Sequence, residues 1–113
     1  MSSSEGYLEY VKDVLEPFEP ITYRKMFGGY GIYKNGLIFG IILEDELYFK
    51  SDESSEDFYS AHNSKQFTYP IKSGKLVKMP YWVVPEHIME DSDVLKAWFE
   101  HAYNIALSSK KGK

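Results

Sequence analysis

Three features of this 113-residue sequence predict an α+β domain of two layers, an antiparallel sheet with helices on one face. Both ends carry apolar residues at helical spacing. An Asn35-Gly36 pair stands between two strand-like runs. The remaining middle breaks into short apolar segments separated by turn residues. The expected order is α-β-β-β-α-β-β-α.

The first helix is expected from about Ser4 to Leu15, because Tyr7, Leu8, Val11, Val14, Leu15 and Phe18 form one stripe. Ser2 with Glu5, or Ser4 itself, offers a cap. Pro17 and Pro20 end the helix, since proline brings no amide donor and clashes with the preceding turn. Residues Thr22–Lys50 then read as a β-meander, with a type I′ turn at Asn35-Gly36 and an acidic turn at Glu44-Asp45-Glu46. Gly28, Gly29 and Gly31 fall inside the first strand of this meander, where glycine signals a bulge or close packing. The run Leu37–Leu43 (LIFGIIL) does not alternate. An antiparallel strand that is apolar on both faces needs cover on its second face or a very central position. Other parts of the chain, or a homodimer built on the open sheet face, would provide that cover.

Asp52–His62 reads as a short helix capped by Ser54 or Ser55. Phe67–Ile71 and Lys75–Val84 form a second strand pair turning at Ser73-Gly74. Pro80 within it implies an edge strand or a bulge. Pro85–Asp91 is a turn or short helical piece. The closing helix follows from Val94, Leu95, Trp98, Phe99, Ala102, Ile105 and Ala106, with caps among Asp91, Ser92 and Asp93. Lys110 and Lys111 suit its negative end.

Composition narrows the function classes. With 13 Lys+Arg against 17 Asp+Glu the chain is acidic, at a net charge of −4, and the three lysines near its end leave the body at −7. Direct DNA binding is therefore not expected, because a DNA reader presents a basic face. No cysteine is present, which excludes disulfides, a thiol nucleophile and cysteine-ligated metal centres. A cytoplasmic home is the expectation. The longest apolar run has seven residues (37–43), against the ~20 a membrane helix needs. The length fits one domain over 1–113, with its core at about 4–109. Aromatic residues make up 17% of the chain, more than solubility or charge explains.

No constellation of reactive residues emerges. His87 and Glu90 stand three apart, but two mixed ligands without a HExxH pair do not make a metal site. The serines sit in turns and caps, and no G-x-S-x-G elbow occurs. The carboxylates cluster where turns and helix starts account for them. Gly28-Gly29-Tyr30-Gly31 runs into a strand, whereas a phosphate-cradling loop leads into a helix. The expectation is no enzyme, no catalytic residue, no cofactor and no metal. Two features remain. Lys72, Lys75 and Lys78 flank a hairpin beside Tyr69, Tyr81 and Trp82, a combination that can bind single-stranded nucleic acid or a small anionic ligand. Arg24, the one arginine, is expected to stack on a ring and pair with Glu86, Glu90 or Asp91, or else to bind an anionic ligand.

The stretch Arg24-Lys-Met26-Phe27-Gly28-Gly29-Tyr30-Gly31-Ile-Tyr33, followed by Asn35-Gly36, resembles the N-terminal domain of the TfoX/Sxy competence regulators. Leu47-Tyr-Phe-Lys50, Phe67-Thr-Tyr69, Met79-Pro-Tyr-Trp82 with Pro85, and Trp98 agree in order, so the likeness spans about residues 8–107. The resemblance implies a secretion-chaperone-like α+β fold that often dimerises. It also implies a role in transcription through protein contacts, with a transcription-regulator protein as partner. It supplies no catalytic residues. The helical C-terminal domain of the longer regulators is not expected within this chain.

Overall fold

The computed structural model describes residues 5–26, 28–62 and 64–111, with backbone only for residues 58 and 109–111. Helix α1 (Glu5–Leu15) runs into a 3-10 turn at Glu16–Phe18, which places Pro17 at its start. Strands β1 (Thr22–Met26), β2 (Gly29–Lys34), β3 (Leu37–Leu43) and β4 (Glu46–Lys50) form the meander. A 3-10 turn (Glu53–Ser55) and α2 (Glu56–Ala61) follow. Strands β5 (Gln66–Pro70) and β6 (Leu76–Val83), the short α3 (Glu86–Met89) and α4 (Ser92–Lys111) complete the chain. All six strands join one antiparallel sheet in the order β1-β2-β3-β4-β6-β5.

The two-layer α+β class holds, with one more strand in the meander than the sequence implied. The expected first strand is two, because the chain reverses between Met26 and Gly29, which face each other in register. Gly28 sits in that reversal at φ 78°, a left-handed angle that glycine adopts without a Cβ penalty. It is not inside a strand. The motif residue Phe27, and the proposed caps Ser2 and Ser4, lie outside the described residues.

The other turns follow local chemistry. Asn35 and Gly36 have φ of 54° and 80°, the two positive angles of a type I′ hairpin. Glu44 and Asp45 adopt the same geometry without glycine, at 51° and 59°. Pro80 marks an irregularity and not an edge. β6 lies between β4 and β5, and pairing jumps from Gln66↔Trp82 to Thr68↔Lys78. The cap of the middle segment is Asp52, one turn earlier than the serines expected to supply it. Its carboxylate accepts from the Ser54 amide at 3.0 Å, while the Asp52 amide donates to Ser55 Oγ at 3.1 Å. Asp91 caps α4, accepting from the Val94 amide at 3.3 Å.

The core lies between the sheet and the helices. Leu8, Val11 and Leu15 of α1, Tyr59 of α2, Ile88 and Met89 of α3, and Leu95, Trp98, Phe99, Ala102 and Ala106 of α4 share one cluster with Ile32, Phe39, Ile42, Leu47, Phe49 and Trp82 of the sheet. Rings make up much of it. Phe99 stacks on Phe18 at 4.5 Å and meets Phe39 edge-on at 5.1 Å. Tyr59 stacks on Trp82 and meets Trp98 edge-on at 4.8 Å. The aromatic excess is therefore largely packing.

β3 explains its own lack of alternation. Ile32 pairs with Gly40 and Tyr33 with Ile38, which leaves Phe39 as an extra residue in a β-bulge. The bulge resets the side-chain parity. Leu37, Phe39 and Ile42 all reach the helix side, whereas Ile41, only 6% exposed, is buried outside that cluster. Of the expected sources of burial the central position is in place: β3 is the third strand of six, and Ile41 on its second face is buried.

Candidate interaction surface

Residues directly paired across strands share a face of the sheet. Arg24, Gly31, Ile41, Tyr48 and Val83 thus form one row across β1, β2, β3, β4 and β6, on the face opposite the helices. Lys50 and Tyr81 pair in the adjoining row, as do Thr22 and Tyr33. This helix-free face is aromatic and half-buried. Tyr33 lies across Gly31, and a Cβ at Gly31 would meet Met26 Sδ at 2.7 Å and the Tyr33 ring at 3.0 Å. The Arg24 guanidinium stands over the same ring, 5.5 Å from its centre. The Tyr48 and Phe67 rings meet edge-on at 5.4 Å. Burial first, and then Tyr33, pushes the Tyr81 hydroxyl above its ordinary value. The motif thus builds a surface. Gly29 and Gly31 let neighbouring groups close over β2, Met26 and Tyr33 fill the space, and Arg24 borders it. Tyr30, the remaining motif residue, points the other way into the core.

Arg24 has its ring but not its expected acid. It is exposed, and among the described residues no carboxylate, Glu86, Glu90 and Asp91 included, lies within ion-pair distance. Those three acids belong to α3 and the turn after it, whose buried residues pack on the helix side of the sheet.

At one side of the sheet β5 and β6 run on past β4 as a two-stranded arm. β4 pairs with β6 only through Tyr81–Val83, so residues 68–78 have no third strand. The arm is bare on both sides. Tyr69 is 57% exposed and pairs with Val77, at 37%; Leu76 is 63% exposed and pairs with Pro70; Ile71 is 43% exposed. Lys72, Lys75 and Lys78 are all exposed on it. Residues 58–85 hold four lysines, Lys65 being the fourth, and no carboxylate, so this segment carries +4 and the rest of the chain −8.

The suggested lysine–aromatic patch is only partly assembled. Trp82 is 8% exposed and stacked in the core, and Tyr81 packs by Tyr33, so among the three rings Tyr69 alone is exposed beside the lysines. A concavity lies between α1, the Glu44–Asp45 turn and α3, with a volume of about 350 Å³. Asp45, Glu46 and Glu86 rim it together with Tyr7 and Tyr10, so it repels anions. Burial pushes the Tyr7 hydroxyl there up to about 12.

One constellation escaped the sequence reading. Ser55 Oγ lies 2.7 Å from His101 Nε2 and 3.2 Å from Asp52 Oδ1. The residue types are those of a nucleophile triad, but the roles are not. The carboxylate contacts the serine, and Ser55 has no exposed surface for a substrate to reach. The arrangement braces the 3-10 turn against α4. Hydrogen bonds with Ser54 hold the Asp52 carboxyl below its ordinary value of 3.8. The signal in sequence was only the capping pattern; the 46-residue separation from His101 hid the rest. His87 lies not with Glu90 but against His62, with Nε2 and Nδ1 3.4 Å apart. No group of three metal-ligating side chains converges among the described residues.

Protein Sxy of Escherichia coli (strain K12) is 26% identical to the chain over 99 residues, covering 88% of this chain and 47% of that protein. The chain therefore spans about half the length of the curated relative it matches. The family model for the TfoX N-terminal domain matches residues 13–106, which takes in β1, the glycine reversal, the arm and most of α4. By that match the chain belongs to the TfoX N-terminal domain family.

Proposed function

We propose that this chain is a non-enzymatic interaction module of a competence-related regulator family, acting on transcription through protein contacts at the helix-free face and the β5–β6 arm. The observation that carries the reading is the arm, which exposes Tyr69, Ile71, Leu76 and Val77 on an extension that no third strand supports. A two-stranded hairpin is marginal alone in water, and clustered apolar exposure of this kind marks a contact surface. The net charge of −4 favours protein over DNA as the target. Similarity to Protein Sxy supports the regulatory setting.

The test compares native-lysate capture by the wild type with capture by the triple variant Tyr69→Ser, Leu76→Ser, Val77→Ser. A transcription regulator identified by mass spectrometry, rebinding in purified form to the wild type only, is the expected result. Retention of RNA or a metabolite with no protein would instead favour the alternative, a binding domain for single-stranded nucleic acid or a small anionic ligand. That reading draws on Lys65, Lys72, Lys75 and Lys78 together with exposed Tyr69. It predicts salt-sensitive oligonucleotide binding that is lost when the lysines are replaced.

A further inference from the structure

The arm ends the sheet. β5 is the last strand in the order β1-β2-β3-β4-β6-β5, so one of its sides has no neighbouring strand. The Ile71 amide donates to the Lys75 carbonyl at 3.0 Å, toward β6. In an antiparallel ladder alternate residues turn their amide and carbonyl groups to opposite sides. Thr68 and Pro70 therefore turn theirs to the open edge, where Thr68 offers a donor and an acceptor and Pro70 an acceptor. Proline stands at a position where the missing N–H takes nothing from the pairing with β6. Thr68, Tyr69 and Pro70 are all exposed. The two faces beside this edge differ. Phe67 lies with Tyr48 on the helix-free face, and Tyr69, paired with Val77, follows two residues on. Thr68 and Pro70 lie on the other face, paired with Lys78 and Leu76.

We propose that an extended acidic segment of a partner protein adds to the open edge of β5 as a further strand of the sheet. This rests on the reading of the arm as an interaction surface and gives the partner its chemistry. Strand addition takes affinity from main-chain hydrogen bonds and specificity from alternate side chains. Residues of the incoming strand opposite Tyr69 fall on the face of Phe67 and Val77, which suits apolar side chains. Residues opposite Thr68 and Pro70 fall on the face of Lys78, which suits carboxylates. Lys65 precedes β5, and Lys72 and Lys75 flank the hairpin tip, so the edge is basic at both ends. The fitting segment thus alternates acidic and apolar residues. Nucleic acid fits less well. The exposed side chains beside the lysines are Ile71, Leu76 and Val77 with the single ring of Tyr69, whereas a single strand is held by successive stacking rings. A short acidic segment also meets only the +4 of residues 58–85, while a long polyanion meets the −8 of the rest.

The probe is a blocked, fluorescein-labelled peptide of alternating glutamate and valine, about six residues long. Binding is read by fluorescence anisotropy, and hydrogen exchange at the protein's amides by NMR. The wild type is expected to bind the peptide and to gain protection at the Thr68 amide. The variant Lys72→Glu, Lys75→Glu, Lys78→Glu is expected to bind at least about tenfold more weakly, with its far-ultraviolet spectrum unchanged. A copy of the peptide methylated on its backbone nitrogens is expected to lose binding, which tests main-chain pairing without altering the protein. No binding at about 1 mM peptide overturns the proposal. So does equal binding of a lysine–valine peptide or of the methylated copy, and so does binding that leaves Thr68 unprotected. Thr68 protection that rises with the concentration of the chain alone assigns the edge to a second copy and overturns it as well. Tighter binding of a single-stranded RNA oligonucleotide of similar length overturns it in favour of nucleic acid. If a purified regulator still binds through Tyr69, Leu76 and Val77 while the peptide fails, the interaction-surface reading stands and only strand addition is wrong. If neither binds, both fall.

Discussion

The two faces of the sheet are built from similar residue types and do different work. On the helix side Ile32, Phe39, Ile42, Leu47 and Phe49 have no exposed surface and lock against α1 and α4. On the opposite side Tyr33, Tyr48, Phe67 and Tyr81 are half-buried, covered by one another and by Met26 and Arg24. The first face is closed by covalently attached helices. Among the described residues the second is closed by its own side chains, and it opens onto an arm whose apolar side chains are exposed. Aromatic content is thus not one property here: the larger part holds the monomer, and Tyr33, Tyr48, Phe67, Tyr69 and Tyr81 coat a surface.

Substitution on each face is the sharpest way to break this comparison. Phe39→Ala should cost about 3–5 kcal/mol in urea unfolding, through lost transfer energy and a cavity among Phe49 and Phe99. Tyr81→Ala, on the half-buried face, should cost about 1–2 kcal/mol. Equal losses would show that the faces are equivalent. Within the motif, Gly29→Ala should be the more damaging of two glycine changes, at about 3 kcal/mol or more. Its Cβ would fall 1.9 Å from the Ile42 carbonyl oxygen, and backbone cannot yield without unpairing β2 from β3. Gly31→Ala presses instead on the Met26 thioether and the Tyr33 ring, which can shift, at about 1 kcal/mol.

The brace beneath α4 tests whether the helix side also relies on polar contacts. Ser55→Ala removes the acceptor for the Asp52 amide and leaves His101 Nε2 without Oγ, at about 1–3 kcal/mol by thermal melting. Acid should act on the same brace. The Asp52 carboxyl is held below its ordinary value by Ser54, so its contribution is complete above pH 3.8 and is lost as pH falls through the lower folded value. Asp52→Asn should remove that part of the acid dependence in a pH series of melting temperatures. The smallest effect belongs to Arg24→Lys. An exposed side chain over one ring, with no carboxylate partner among the described residues, should change stability by less than about 0.5 kcal/mol. A larger loss would mean that the helix-free face holds the fold as firmly as the core does.

Much of the fold was legible because it was written in local rules. The stripes of α1 and α4, the Asn35-Gly36 hairpin and the Ser73-Gly74 turn each depend on a few adjacent residues. The extra reversal at Gly28 was missed because glycine in a strand and glycine in a tight turn look alike in sequence. The Arg24 acid pair was misplaced because proximity to Glu86 or Glu90 is a matter of which layer each belongs to, and one sequence gives no measure of that. Trp82 was grouped with the lysines by sequence distance, yet successive residues of a strand face opposite ways.

By itself, then, the amino-acid sequence determined the class of fold, its element types, its acidity and the family motif at Arg24–Gly31, because periodicity, turn chemistry and composition act over short range. Only the tertiary structure decided which rings are core and which are surface. It also separated Trp82 from Tyr69, joined Ser55 to His101 and left β5 at the edge of the sheet. Those outcomes depend on register, on a one-residue bulge at Phe39 and on the order in which strands pair, all of which arise when distant segments meet.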